Sequence, residues 1–170
     1  MTTAFFIRRA SHSDAVRLAT LGMQVWLHTY AWNGISDAIA HYVQREFTPE
    51  RMVALLQDAG ARVLVAENGE NLLAYAVMRP EPHATRPGCE LATLYVQAHF
   101  ARCGLGRALL LAMQEMAQQE TGSPALWLMV NTHNERAIAF YQANGMHIDG
   151  ETFFDLDGTL HKNWIMIHPA

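Results

Sequence analysis

The stretch from Gly88 to Arg107, GCELATLYVQAHFARCGLGR, constrains this chain more than any other part of it. An apolar, β-prone run from Leu91 to Val96 passes through a short connector into Gly104-Leu105-Gly106, where a helical pattern begins at once. Glycines let a backbone come close to an anion, and the first-turn N–H groups of a helix have no intrahelical partners. Strand, turn and helix start therefore form a phosphate cradle. A glycine pair alone is weak evidence; its place between a strand and a helix carries the signal.

Two familiar glycine loops do not fit. The dinucleotide fingerprint requires a third small residue where this chain has Leu109, and the Walker loop requires a Gly-Lys-Ser/Thr run that the sequence lacks. Around the cradle the chain alternates strand and helix signals. Phe5-Phe6-Ile7 opens a strand, and Ser11 or Ser13 with Asp14 caps a helix whose apolar positions include Val16, Leu18, Leu21 and Val25. The aromatic-rich VWLHTYAWNGIS follows, then a helix over Ser36 to Phe47 and another capped by Thr48 with Pro49 at its first position. Ala61 to Glu67 and Leu72 to Met78 read as a hairpin around Asn68-Gly69, and Pro80, Pro82 and Pro87 mark a loop. Beyond the cradle come an amphipathic helix from Leu105 to Gln119, a strand from Leu126 to Val130 and a helix opening at Asn134 that stops at Gly145. A closing hairpin runs over Met146 to Asp155 and Thr159 to Ile167.

Composition narrows the classes. At 170 residues and 51% apolar content, residues 1–170 are expected to form one domain with a single substantial core. A formal charge of −4 without Lys/Arg runs argues against nucleic-acid binding, and a mildly acidic surface tolerates a cationic acceptor. Cys89 and Cys103 form neither a disulfide framework nor a metal motif, and the nine histidines show no metal-ligand spacing. With no long apolar span, the expectation is a cytoplasmic protein that uses no membrane and no metal.

The segment Ala101-Arg102-Cys103-Gly104-Leu105-Gly106 resembles motif A of the GNAT acetyltransferases, usually Q/R-x-x-G-x-G/A, with Ala101 at the leading Gln/Arg position and Arg102 one place later. A second resemblance lies in LMVNTHNERAIAFYQANGM, where Asn134, Ala137, Phe140, Tyr141 and Gly145 match the family pattern and Met146 replaces its usual Phe. The opening IRRASHSDA is similar to the first strand and turn of many such domains. What the resemblance implies is an α/β domain: a mixed, mostly antiparallel, twisted sheet of about seven strands with helices on both faces. Two central parallel strands, around Leu94 and Leu128, would splay apart at their C-terminal ends.

The resemblance also implies a co-substrate, acetyl-coenzyme A, and a set of roles. Backbone groups of Leu94, Tyr95 and Val96 would hold the pantetheine arm, and the turn from Ala101 through Arg102, Cys103, Gly104, Leu105 and Gly106 to Arg107 would hold the pyrophosphate. Asn134 would contact the cofactor arm, Tyr141 would protonate the leaving thiolate, and Glu90 would serve as general base. By spacing alone, Asn134 is equally a helix-start residue, Tyr141 a core residue and Glu90 an exposed strand end. Trp26, His28, Tyr30 and Trp32 are candidates for the acceptor wall, although such aromatics more often pack a core. The acceptor is then a small amine or polyamine, with a peptide amine, or a coenzyme A-binding regulatory module without turnover, as alternatives. A homodimer paired through the closing hairpin is compatible with this. Phe154-Asp155-Leu156-Asp157-Gly158-Thr159-Leu160 matches a phosphatase nucleophile motif, but only ten residues follow it, so a hairpin turn on Asp157-Gly158 is the better reading.

Overall fold

The computed structural model describes residues 4–80, 86 and 88–168. In chain order the elements are β1 (Phe6–Arg9), α1 (Ala15–Tyr30), α2 (Asp37–Glu46), α3 (Pro49–Gln57), β2 (Arg62–Asn68) and β3 (Asn71–Arg79). They continue with β4 (Cys89–Val96), α4 (Leu105–Thr121), β5 (Leu126–Asn131), α5 (Glu135–Ala143), β6 (His147–Leu156) and β7 (Thr159–His168). The seven strands form one sheet in the order β1-β2-β3-β4-β5-β7-β6, and β4 with β5 is its parallel pair among antiparallel neighbours.

Local chemistry accounts for most boundaries. The Ser36 hydroxyl accepts from the Ile39 N–H and opens α2, and Thr48 does the same for α3 from the Arg51 N–H, with Pro49 in the first turn where no N–H is needed. In the last hairpin Asp157 (φ 51°) and Gly158 (φ 82°) both adopt positive φ, the signature of the tight turn that matches strand twist. The phosphatase-like motif is thus a hairpin turn. Trp26 to Tyr30, left without an element by the sequence pattern, extends α1 by more than a turn. The loop expected on Pro80, Pro82 and Pro87 begins at Pro80, just past β3; Pro82 and Pro87 lie outside the described residues.

Helices cover both faces. Val63, Val65, Tyr75 and Val77 bury one face of the sheet under α1, α2 and α3, while Leu64, Ala66, Ala76 and Met78 bury the other under α4 and α5. Because β3 is buried on both faces from Leu72 to Met78, its sequence is an unbroken apolar run. At the start of α1 the fully buried Asp14 carboxylate accepts two hydrogen bonds from Arg8 (2.7 and 2.9 Å) and one from the Ser11 N–H (2.7 Å), and pairs with Arg17. Arg8 also reaches Glu67 on β2 at 2.6 Å. These partners hold the Asp14 carboxyl well below the usual carboxylate range, the Arg8 guanidinium contributing most and burial opposing it. The network ties β1, α1 and β2 together.

The sheet's irregularity lies at its centre. β4 and β5 pair only at Cys89 with Leu126 and Glu90 with Trp127, then diverge. Their junction is backbone against backbone: the Cys89 N–H donates to the Ala125 carbonyl at 3.0 Å, and a Cβ on Gly88 (φ 83°) would stand 2.0 Å from that same oxygen. Only glycine fits there. On the β3 side, Val77 faces Thr93 while Met78 faces Leu91, so Ala92 is an extra residue in β4. This bulge resets the side-chain alternation, and Leu91, Leu94 and Val96 all reach the α4 side.

Candidate active site

A cleft of about 1250 Å³ opens where β4 and β5 separate. Leu94, Tyr95 and Val96 of β4 face Met129 and Val130 of β5 across it. Ala101, Arg102, Gly104, Gly106 and Arg107 form the end wall, and Asn134, Ala137, Phe140 and Tyr141 of α5 flank it. Gln24, Val25, His28 and Tyr30, from the second half of α1, make the opposite side.

The end wall is built for an anion. Gly104 (φ 83°) is the N-cap of α4 and provides no side-chain hydrogen bond, so the first N–H groups of this 17-residue helix remain open at the cleft. Arg102 also sits in left-handed backbone (φ 64°), uncommon for a residue with a Cβ, and the two left-handed turns curl the loop into a concavity. Gly106 is close-packed: a Cβ there would meet Phe140 Cζ at 3.3 Å and Val96 Cγ2 at 3.8 Å. Three guanidinium groups, on Arg102, Arg107 and Arg136, line the cleft against one described carboxylate, Glu135. A chain of net charge −4 therefore concentrates positive charge here. The open N–H groups and the guanidinium groups make this wall a donor-rich, electropositive concavity.

α5 brings two functional candidates to the same side. Asn134 is its N-cap, its Oδ1 accepting from the Ala137 N–H at 3.2 Å. Tyr141 stands about two turns further on and is 8% exposed, its ring edge-on to Phe140 at 5.2 Å between centroids. Burial pushes the Tyr141 phenol well above its ordinary range, and Tyr30 adds to the shift, so Tyr141 stays protonated as a proton donor must. Tyr30 is likewise raised by burial, with the Asn134 side chain opposing the shift.

The remaining sequence candidates lie elsewhere. Glu90 is not among the residues lining the cleft; it sits at the closed end of the splay, paired with Trp127 on one side and Arg79 on the other. Trp26 is 5% exposed and lies between the tilted rings of Tyr30 (4.9 Å between centroids) and Tyr42 (4.6 Å), so it is a core residue that packs against Tyr30. Trp32 is 80% exposed on the loop after α1, outside the cleft. Leu105 is buried in the α4-side core, and the Cys103 thiol turns back on its own loop toward the Ala101 carbonyl at 3.7 Å. Sequence reasoning missed Gln24, an exposed polar residue of α1, Val25, whose helical spacing marks a packing face, and Met129, which interrupts a buried run because β4 has moved away beside it. Among the described residues no three His, Cys, Asp or Glu side chains converge on a common point, and no helix is long and apolar enough to cross a membrane.

Comparison with known proteins identifies the family and the fold. The sequence model of the Acetyltransferase (GNAT) family matches residues 24–146. The peptidyl-lysine N-acetyltransferase YiaC of Escherichia coli (strain K12) is 32% identical over 164 residues, 96% of this chain and 97% of that protein. The fold is that of the PaiA N-acetyltransferase of Thermoplasma acidophilum in complex with coenzyme A, at a TM-score of 0.80 and 20% identity over 98% and 99% of the two chains. It is also that of YncA from Salmonella typhimurium, a putative acetyltransferase with its cofactor acetyl-CoA, at a TM-score of 0.66 and 22% identity over 98% and 94%.

Proposed function

Because the chain belongs to the GNAT acetyltransferase family, we propose that it moves an acetyl group from acetyl-coenzyme A directly to a primary amine, with both reactants held together in the cleft. The observation that carries this reading is the meeting, in one cleft, of an uncapped helix start flanked by arginines with a buried, protonated tyrosine. Arg102, Arg107 and the N–H groups of α4 would hold the pyrophosphate. The diverging edge of β4 from Leu94 to Val96 would take the arm much as a sheet takes an added strand, and Asn134 would steady it. A β4 N–H near Val96 would meet the charge that develops on the carbonyl oxygen, and Tyr141 would protonate the departing sulfur.

An alkyl amine with a pKa near 10.4 is neutral in only about one molecule in a thousand at pH 7, so its proton must be removed as well. Glu90 stands at the closed end of the splay, and any part it takes would run through water. The acceptor wall of Gln24, Val25, His28 and Tyr30 holds no carboxylate among its described residues, which favours an amine in neutral surroundings over a polyamine. A lysine amine on a peptide is the second reading, supported by the activity in the name of the E. coli relative and by apolar Trp32 and Ile35, 80% and 64% exposed after α1. Both cysteines are free, as a reducing cytoplasm would leave them. The outer edge of β6, ten residues long, is where a second copy would add, which sedimentation would reveal.

The test is acetyl-coenzyme A with a panel of small amines and lysine-containing peptides, following free thiol. Release with a peptide but not with small amines selects the second reading. Thermal stabilisation by coenzyme A without thiol release on any acceptor would mean a binding module without turnover.

A further inference from the structure

The arginines of this chain divide into two groups. Arg8, Arg17, Arg45, Arg51, Arg62 and Arg79 each pair with a carboxylate. Arg9, Arg102, Arg107 and Arg136 have no such partner among the described residues, and of these all but Arg9 line the cleft. Like charges gathered on one cavity repel one another until an anion joins them, and this chain, at net charge −4, has carboxylates enough to have paired them.

The cleft arginines stand on two elements. Arg102 and Arg107 flank the Gly104-Leu105-Gly106 turn at the start of α4, whereas Arg136 is in the first turn of α5. The two elements touch at the turn itself, since a Cβ on Gly106 would meet Phe140 Cζ at 3.3 Å. Phe140 follows Arg136 by four residues, so the two share one face of α5, about 5–6 Å apart. Side chains on a helix lean toward its N-terminus, which carries the Arg136 guanidinium away from the Phe140 ring. Arg136 is therefore beside the glycine turn rather than over it. Its own helix gives it no reason to be there, because the first turn of a helix favours an acid such as Glu135 and disfavours a cation.

Coenzyme A carries anions in two places: the pyrophosphate, and a phosphate monoester on the ribose 3′ oxygen that holds most of a second charge near pH 7. In the reading above, the open N–H groups of α4 with Arg102 and Arg107 answer the pyrophosphate. The monoester is the anion this leaves unanswered, and Arg136 is the cation. Resting on that reading of the cleft, we propose that Arg136 binds the 3′-phosphate and makes the protein distinguish coenzyme A from its dephospho form. A guanidinium suits the task because its planar fork meets two phosphate oxygens at once.

The test is calorimetric titration of wild type, Arg136→Gln, Arg136→Lys and Arg102→Gln with coenzyme A and with dephospho-coenzyme A, which lacks only that phosphate. Wild type should bind coenzyme A about 10- to 100-fold more tightly than the dephospho form, the range for hydrogen bonds to a charged group. In Arg136→Gln the ratio should fall to within about threefold, through loss of coenzyme A affinity alone. Arg136→Lys keeps the charge but not the fork and should fall between the two. Arg102→Gln should weaken both ligands alike and keep the wild-type ratio. Because Arg136 is exposed and in no ion pair among the described residues, the glutamine variant should fold with an unliganded Tm no lower than wild type. A wild type that binds both ligands equally, or an Arg136→Gln protein that weakens both equally or keeps the wild-type ratio, would overturn the assignment. A wild type that binds neither ligand overturns the coenzyme A reading and the assignment with it. Binding with the expected ratios but no thiol release on any acceptor overturns acetyl transfer and supports the assignment.

Discussion

Arg102 combines two properties that substitution can separate: left-handed backbone at φ 64° and a guanidinium at the anion end of the cleft. Among the described residues no side chain pairs with that guanidinium, so its removal costs the unliganded fold no ion pair. Left-handed backbone costs a residue with a Cβ about 1–2 kcal/mol, and glycine gives back about 0.5–1 kcal/mol of this through its freer unfolded chain. Arg102→Gly should then be more stable than Arg102→Ala, which keeps the strain, by about 1 kcal/mol. In a domain of this size that is roughly 2–4 °C in Tm, measured by circular dichroism on the unliganded proteins. Both variants lose the cation, so coenzyme A affinity by calorimetry should fall equally, by roughly 10- to 100-fold for one charge-assisted hydrogen bond of about 1.5–3 kcal/mol. A glycine variant no more stable than the alanine variant would show that the loop stores no strain. Affinity unchanged in both would show that Arg102 does not supply the cation absent at Ala101.

Three further outcomes are expected. Tyr141→Phe should fold and bind coenzyme A like wild type but turn over roughly 10²–10⁴-fold more slowly, with a smaller loss for an acyl donor whose leaving thiol has a much lower pKa; a near wild-type kcat where chemistry limits would remove Tyr141 as the acid. Gly106→Val places methyl groups against Phe140 and should weaken coenzyme A binding in a folded protein, so undiminished affinity would exclude the glycine turn as the pyrophosphate site. Asp14→Asn should cost about 3 kcal/mol, the low end for breaking a buried ion pair because Arg8 and Arg17 stay partly solvated. The folded Asp14 pKa is depressed, so its stabilisation is present above the unfolded value near 3.9 and is lost as pH falls toward the folded one. Urea midpoints should therefore fall steeply below about pH 4 in wild type and less in the variant.

What could be read from the sequence was what neighbours along the chain decide. Ser36 and Thr48 cap the helices they precede, Asp157-Gly158 turns the last hairpin, and Gly104 opens α4, each set by a few consecutive residues. The α1 side of the cleft was harder to read. Trp26, His28, Tyr30 and Trp32 lie close together in sequence, yet α1 buries Trp26, turns His28 and Tyr30 to the cleft, and ends before Trp32. The position of Glu90 outside the cleft lining was not legible, because β4 pairs with β5 at that point and carries an extra residue at Ala92, which no local pattern announces. The Asp14 cluster joins residues 8, 14, 17 and 67; Asp14 was legible as a helix-start residue, but Glu67 arrives through the pairing of β1 with β2.

The divergence of β4 from β5 gives the sheet a slit through its middle. An open sheet ordinarily has two borders, at its outermost strands, and these are where stray chains attach. Here β4 beyond Glu90 and β5 beyond Trp127 add two inner borders, walled by α1 and α5, that a folded neighbour cannot enter but a slender molecule can. Amides along that slit should exchange with solvent faster than those of β2 and β3 until something lies against them. Whatever fills it is then a structural component as much as a reactant, adding about 2.7 kcal/mol when present at a hundred times its Kd. The persistence of the protein in a cell would thereby be tied to the supply of whatever compound fills the slit.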